Sequence, residues 1–142
     1  AWGWMLQLYA VHSERSWGMG DFGDLRDLAA WSGASGAGLT LLNPLHAPAP
    51  VHPVPASPYS PSSRRFWNPL YLRVSDVSGY EARKAEIDAL RPELGELIDY
   101  DAVWDAKLEA LDRLWEGYRQ LTTAITEGST YWSPTDTKLL PV

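Results

Sequence analysis

The sequence contains no cysteine, which excludes a disulfide framework and every thiolate metal site and suits a reducing, cytoplasmic setting. It also lacks any apolar run near the roughly 20 residues that cross a bilayer, because Ser, Arg, Asp or Pro interrupts each one. With a mean hydropathy of -0.27, no membrane role is expected. No basic cluster followed by an apolar stretch opens the chain, so no secretory leader is read. Basic residues are scarce: 12 Lys and Arg against 18 Asp and Glu give a net charge of -6. That balance argues against a nucleic-acid partner, which would need a basic face for phosphates. Histidine is sparse too, and His12, His46 and His52 have no Asp, Glu or His at i+2 to i+4 except Glu14 after His12. A metal site needs three or more convergent ligands, so neither a metal nor a cofactor is expected.

What is present is one domain's worth of chain, 142 residues of which 45% are hydrophobic. It begins at Ala1 rather than Met and reads as a piece of something longer. Residues 1–71 are neutral, with Arg15, Arg26, Arg64 and Arg65 against Glu14, Asp21, Asp24 and Asp27; the whole excess of acid lies beyond them. Eight Trp and seven Tyr stand against two Phe. Such rings serve a core or, with an apolar face and a polar edge, a sugar or partner surface. Composition leaves both open.

The run WMLQLYAV at residues 4–11 has strand length, and a strand is predicted over residues 5–11. Asp24 reads as the N-cap of a helix over residues 25–32, with Asp27 adding charge at its positive end and Gly33 and Gly36 ending it. A second strand follows at residues 39–42, with Leu41 in the core, closed by Asn43 and Pro44. Strand, helix and strand in about forty residues form a βαβ unit, which predicts two parallel strands. Residues 44–69 hold eight of the eleven prolines and should lack regular structure. The stretch exceeds the ~12–15 residues of a plain connector, and Tyr59, Arg64, Arg65, Phe66 and Trp67 are poor residues for disorder. An ordered loop at the carboxyl end of the second strand is expected, where α/β folds bind ligands. Further on, one helix is predicted over residues 81–90, a short one restarting at Pro92, and a longer one capped by Asp101. In that last helix Trp104, Leu108, Leu111, Trp115 and Tyr118 recur at steps that face a core, while Glu109 and Arg113 pair on the polar side. The divisions are residues 1–75, a βαβ unit with its Pro-rich loop; 76–121, helical; and 122–142, an irregular tail.

Gly18, Gly20 and Gly23 match the G-x-G-x-x-G dinucleotide fingerprint between a strand and a helix. Residues 12–17 separate the strand from the first glycine, however, and no acid ends the second strand to take a ribose. A nucleotide-binding domain is the weaker alternative, against glycines that shape a loop. The abundant Trp and Tyr would also fit a free-standing carbohydrate-binding module, but such modules are usually β-sandwiches and the long helices oppose that. The carboxylates mostly lie on solvated helix faces, so no catalytic pair is read among them. His46, directly after the second strand, is either a polar wall of a pocket or a structural histidine.

The most informative stretch is Ser57-Pro58-Tyr59, followed by Arg64, Arg65, Phe66, Trp67 and then Asn68-Pro69-Leu70. Preceded by Asn43-Pro44-Leu45-His46 and by Gly18-Met19-Gly20-Asp21-Phe22-Gly23, it resembles the N-terminal barrel region of the 4-α-glucanotransferases. These are the amylomaltases or disproportionating enzymes of glycoside hydrolase family 77. Order and spacing agree from about Met5 to Val74, half of the chain. The resemblance implies the opening of a (β/α)8 barrel, first βαβ unit and substrate loop, followed by a helical insertion. It implies retaining transfer of α-1,4-glucan segments between maltooligosaccharides, with a nucleophilic carboxylate and an acid/base carboxylate some 5–5.5 Å apart. None of the family's catalytic motifs is matched here, so this chain alone is expected to be inactive. Two positions carry over: Tyr59 to the tyrosine that stacks on the bound sugar, and Ser57 to a polar contact in the same loop. Asn68 shapes a turn or, with His46, walls the pocket. Residues 129–142 resemble nothing in the family.

Overall fold

A computed structural model describes the backbone of residues 1–128 and the side chains of residues 1–120. Strand β1 (Gly3–Leu6) leads through a turn of 3₁₀ helix at Leu8–Ala10 to helix α1 (Phe22–Ala34) and strand β2 (Leu39–Leu42). The strands pair in parallel, Gly3 with Leu39 through Leu6 with Leu42, as the βαβ reading requires. The first strand stops before residue 8, not at 11. There the Leu8 N–H is taken by Asn43 Oδ1 at 2.7 Å, and the N–H groups of Ala10 and Val11 bond back to Gln7 and Leu8. The chain therefore bends where a longer strand was expected.

Helix α1 is capped by Asp21, three residues before the expected Asp24. Asp21 Oδ1 accepts from the Asp24 N–H and Asp24 Oδ2 from the Asp21 N–H, both at 3.1 Å. This reciprocal pair satisfies two of the orphan donors at the helix start. At the other end Gly36 takes the left-handed conformation, φ 87°, and the Ala37 N–H returns to Ser32.

Residues 44–69 are not free of regular structure. Strands β3 (His46–Ala47) and β4 (Ser63–Trp67) pair antiparallel, His46 with Trp67 and Ala47 with Ser63. The prolines fall outside the paired positions, in the connection between the two strands and at their flanks, so none removes a ladder donor.

Beyond β4 lie short 3₁₀ turns at Pro69–Tyr71, Val74–Asp76 and Glu81–Arg83, then helix α2 (Lys84–Asp88) and helix α3 (Tyr100–Gly128). The predicted helix over 81–90 is thus a 3₁₀ turn and a short α-helix, and none restarts at Pro92. Arg91 explains part of this, since its guanidinium reaches back to the carbonyls of Glu14 and Ser16 and holds the segment against the loop before α1. Asp101 does not cap α3; Asp99 accepts from the Ala102 N–H at 2.9 Å. Residues 122–128, read as irregular, continue α3, and residues 129–142 lie outside the described residues.

The stripe along α3 is rotated by one position. Val103, Lys107, Ala110 and Leu114 are buried, Trp104, Leu108 and Leu111 are half-buried, and Trp115 is 57% exposed. Val103 joins Leu8, Met19, Leu70 and Tyr71 in one core cluster, while Ala110 and Leu114 join Trp17, Val74, Tyr80 and Ile87 in a second. Helix α3 thereby spans both. The paired strands themselves are poorly covered: Met5, Leu39 and Leu41 are exposed, Leu41 by 59%, against the expectation that it would be core. Among the described residues this two-stranded sheet has both its edges unpaired, and a ring contact from Trp31 to Trp4, centroids 5.9 Å apart, links the last turn of α1 to it.

Candidate functional site

At the carboxyl ends of β1 and β2 a narrow cavity opens, lined by Tyr9, Met19, His46, Pro48, Pro55, Ala56, Ser57, Pro58, Pro61, Asn68, Leu70, Tyr71 and Tyr100. Its frame is Asn43, the residue after β2. Besides accepting from Leu8, its amide donates to the Pro44 carbonyl at 2.7 Å and to Tyr71 Oη at 3.0 Å. One buried side chain thus fastens both strand ends to the residue that floors the cavity.

Burial pushes the Tyr71 hydroxyl up to about 12, and the phenols of Tyr100, Tyr9 and Tyr59 add to the rise. Three tyrosines, Tyr9, Tyr71 and Tyr100, line the cavity at this end of the strands. Tyr100 is also raised by its burial. Both Tyr71 and Tyr100 therefore stay neutral hydroxyls at physiological pH, able to donate and accept.

The structure brings three of the sequence-predicted residues into the lining. His46 opens β3, half-buried, with its ring 6.4 Å from that of Trp67. Asn68 shapes a turn and lines the cavity at once: its Oδ1 accepts from the Leu70 N–H at 3.0 Å, capping the 3₁₀ turn. Ser57 lines the cavity, and its hydroxyl accepts from the Tyr59 N–H at 3.4 Å, a local turn of the Ser-x-x type. Tyr59 is not in the lining; it stands at the tip, 62% exposed. Tyr9, Asn43, Tyr71 and Tyr100 were missed. Asn43 carried a signal, being the polar residue that ends a strand before proline, whereas Tyr100 comes from a helix whose position over the site no local pattern encodes.

Among the described residues no carboxylate lines the cavity. The cavity itself is small, about 10 Å³, room for about one water; its aromatic faces, proline rings and hydroxyls are of the kind that pack on a sugar's C–H face and polar rim, but they cannot attack or protonate a glycosidic bond. Among the described residues no cluster of three or more His, Cys, Asp or Glu could hold a metal ion.

The glycine motif has other duties. A Cβ on Gly20 would lie 2.0 Å from the Leu8 carbonyl oxygen, and one on Gly23 would lie 2.2 Å from Arg73 Nε. Arg73, itself buried, bonds Asp21 through Nε at 2.8 Å and reaches Asp24 as well. The start of α1 is thus filled by two carboxylates and a guanidinium, where a nucleotide phosphate would have to sit. Nor do the described residues form a β-sandwich; they form two two-stranded sheets.

The fold and cavity define a class: a mixed α/β unit with an ordered loop at the carboxyl ends of two parallel strands. The comparisons with known proteins narrow it. A family model described as 4-alpha-glucanotransferase, glycoside hydrolase family 77, matches residues 6–138, and the chain belongs to that family; the match takes in residues 129–138, against the expectation that the end of the chain resembles nothing in it. A curated 4-alpha-glucanotransferase of Mycobacterium tuberculosis is 45% identical over 126 residues, covering 78% of this chain and 17% of its own length. The Haemophilus influenzae protein of the same name is 40% identical over 131 residues, 84% of this chain and 18% of its own. The crystal structure of amylomaltase from Corynebacterium glutamicum superposes with a TM-score of 0.73 at 39% identity, covering 80% of this chain and 18% of that one. The chain thus spans less than a fifth of the length of these relatives.

Proposed function

We propose that this chain is the opening part of a (β/α)8 catalytic barrel and supplies one wall of the α-1,4-glucan cleft of a 4-α-glucanotransferase. The observation that carries the reading is the ordered 44–69 loop, folded over the carboxyl ends of β1 and β2 in a chain of this family. Ser57 contributes a hydroxyl to the sugar's rim, and the exposed ring of Tyr59 stacks on its C–H face. The absence of carboxylates from the cavity lining supports assigning the chemistry to other parts of the parent enzyme. There one carboxylate bonds to the anomeric carbon as the glycosidic C–O bond breaks, and a second gives its proton to the departing 4-oxygen. The acceptor's 4-hydroxyl then attacks the same carbon, releases the first carboxylate and returns a proton to the second.

The test is Tyr59→Ala in the full-length parent, with maltotriose disproportionation and melting temperature both measured. Loss of the stacking face should cost roughly ten- to a hundredfold in kcat/KM while the melting temperature stays near that of the parent. Leu8→Ala is the contrasting control, since Leu8 is fully buried and its truncation should cost about 2–5 kcal/mol of stability. An unaltered rate in Tyr59→Ala, or unfolding as severe as in Leu8→Ala, would overturn the stacking role.

A further inference from the structure

We propose that His52 is a positioning residue: clasped between Asp101 and Asp105 of α3, it holds one limb of the Pro-rich loop on that helix and so sets how closely the loop closes on a bound sugar. The proposal deepens the glucan reading of the loop and rests on it. His52 Nδ1 lies 3.0 Å from Asp101 Oδ1, and Nε2 lies 3.1 Å from Asp105 Oδ1. The two aspartates are four residues apart on α3 and so share a face. The same Asp101 oxygen accepts the Val54 N–H at 2.7 Å. Val54 is buried, and the next residues of the limb, Pro55 to Pro58, line the cavity. On the helix side the residue before Asp101 is Tyr100, which lines the cavity too. The clasp therefore joins the two segments that form this side of the cleft, immediately outside it.

Both ring nitrogens face a carboxylate, and only the imidazolium carries two N–H donors. Neutral His52 would turn a lone pair toward one of the aspartates. Asp101, through its hydrogen bond, and Asp105, through its charge, are the acidic groups that raise the pKa of His52 above its ordinary value. A raised folded value means that the contribution is complete below about pH 6.5 and is lost as pH rises through that folded value. Asp101 behaves oppositely. The Val54 N–H first, then His52, hold it below the usual carboxylate range, so it stays charged throughout. The Val54 bond survives deprotonation of the histidine, and alkali loosens the limb without releasing it.

The test uses the full-length parent as wild type, His52→Ala, Asp105→Ala and Tyr59→Ala. Hydrogen exchange of the 52–59 amides, corrected for intrinsic rates, is compared at about pH 6 and pH 9, which bracket the histidine titration. Maltotriose kcat and KM are measured at the same two values. At the lower pH both clasp variants should exchange faster than wild type, with KM raised about two- to fivefold, the range an exposed ion pair supplies, and with a smaller change in kcat. At the higher pH the three proteins should converge. Equal exchange and equal KM at pH 6 in wild type and both variants would overturn the clasp. Faster exchange with an unmoved KM would overturn the positioning role if Tyr59→Ala still lowers kcat/KM. If Tyr59→Ala is also silent, the glucan reading has failed and the proposal falls with it.

Discussion

Helix α1 carries a glycine near each end, and the same substitution at the two should change stability in opposite directions. At Gly33 an added Cβ meets nothing within 4 Å, so Gly33→Ala should gain ~0.5–1 kcal/mol by lowering the entropy of the unfolded chain. At Gly23 the same carbon would lie 2.2 Å from Arg73 Nε, 2.4 Å from Cζ and 2.5 Å from Cδ. Arg73 is 3% exposed and fixed at both Asp21 and Asp24, so it cannot swing aside and keep those bonds. Displacing it leaves two buried carboxylates without their cation, which costs about 3–5 kcal/mol. The helix-propensity gain recovers only part of that, and a net loss of about 2–4 kcal/mol remains.

Native-state hydrogen exchange of the α1 amides in the parent reads this locally. Gly23→Ala should accelerate them on the order of 30- to 1,000-fold, and Gly33→Ala should slow them about two- to fivefold. The loss should also move with pH. Burial alone would raise the pKa of Asp24, but hydrogen bonds from Ser13 and Arg73 outweigh it and hold the carboxyl below its ordinary value. That stabilisation is complete above about pH 3.9 and is lost only as pH falls through the lower folded value. Without Arg73 in place, Gly23→Ala should begin to open at higher pH than wild type. Exchange in Gly23→Ala as slow as in wild type at neutral pH would refute the packing argument.

Three further outcomes are expected. Burial pushes Lys107 down to about 8, although its ammonium donates to the Leu70 and Leu72 carbonyls and is drawn toward Asp21 and Asp24; between about pH 8 and pH 10 the unfolded chain binds the extra proton, so local stability should rise with pH, and Lys107→Met should flatten that slope in exchange or melting experiments. The 142-residue chain on its own should bind a hydrophobic dye or self-associate through Met5, Leu39, Leu41 and the strand edges, and a dye-silent monomer with a sharp melt would contradict this. The same isolated chain should yield no glucose or longer oligosaccharides from maltotriose, and their appearance in a preparation free of host enzyme would mean that catalytic carboxylates lie within it.

What the sequence made legible was whatever local chemistry decides. The parallel pair of strands and the Glu109 to Arg113 ion pair, 2.8 Å in the structure, needed only periodicity and spacing. The errors came wherever a distant residue competed for a local donor or surface. The first strand ends early because Asn43, 35 positions from Leu8, takes its N–H. Asp101 looked like a cap, but its carboxylate is engaged by Val54 and His52 from the Pro-rich loop, and Asp99 caps instead. The α3 stripe is displaced because Lys107, polar in any pattern, is drawn inward by two carbonyls at 2.5 and 3.1 Å. The sequence rightly read order into residues 44–69 from their aromatic content, yet missed the hairpin, since proline frequency hides the few positions from which proline is absent. The cavity follows the same division. Ser57, His46 and Asn68 belong to segments whose motifs could be read, whereas Tyr9 and Tyr100 reach it only because the bend after β1 and the start of α3 converge there. A site assembled from four separate segments is recognisable in sequence only on the segment that carries a motif. The clasp of His52 by Asp101 and Asp105 lies at the join between such a segment and one that carries none.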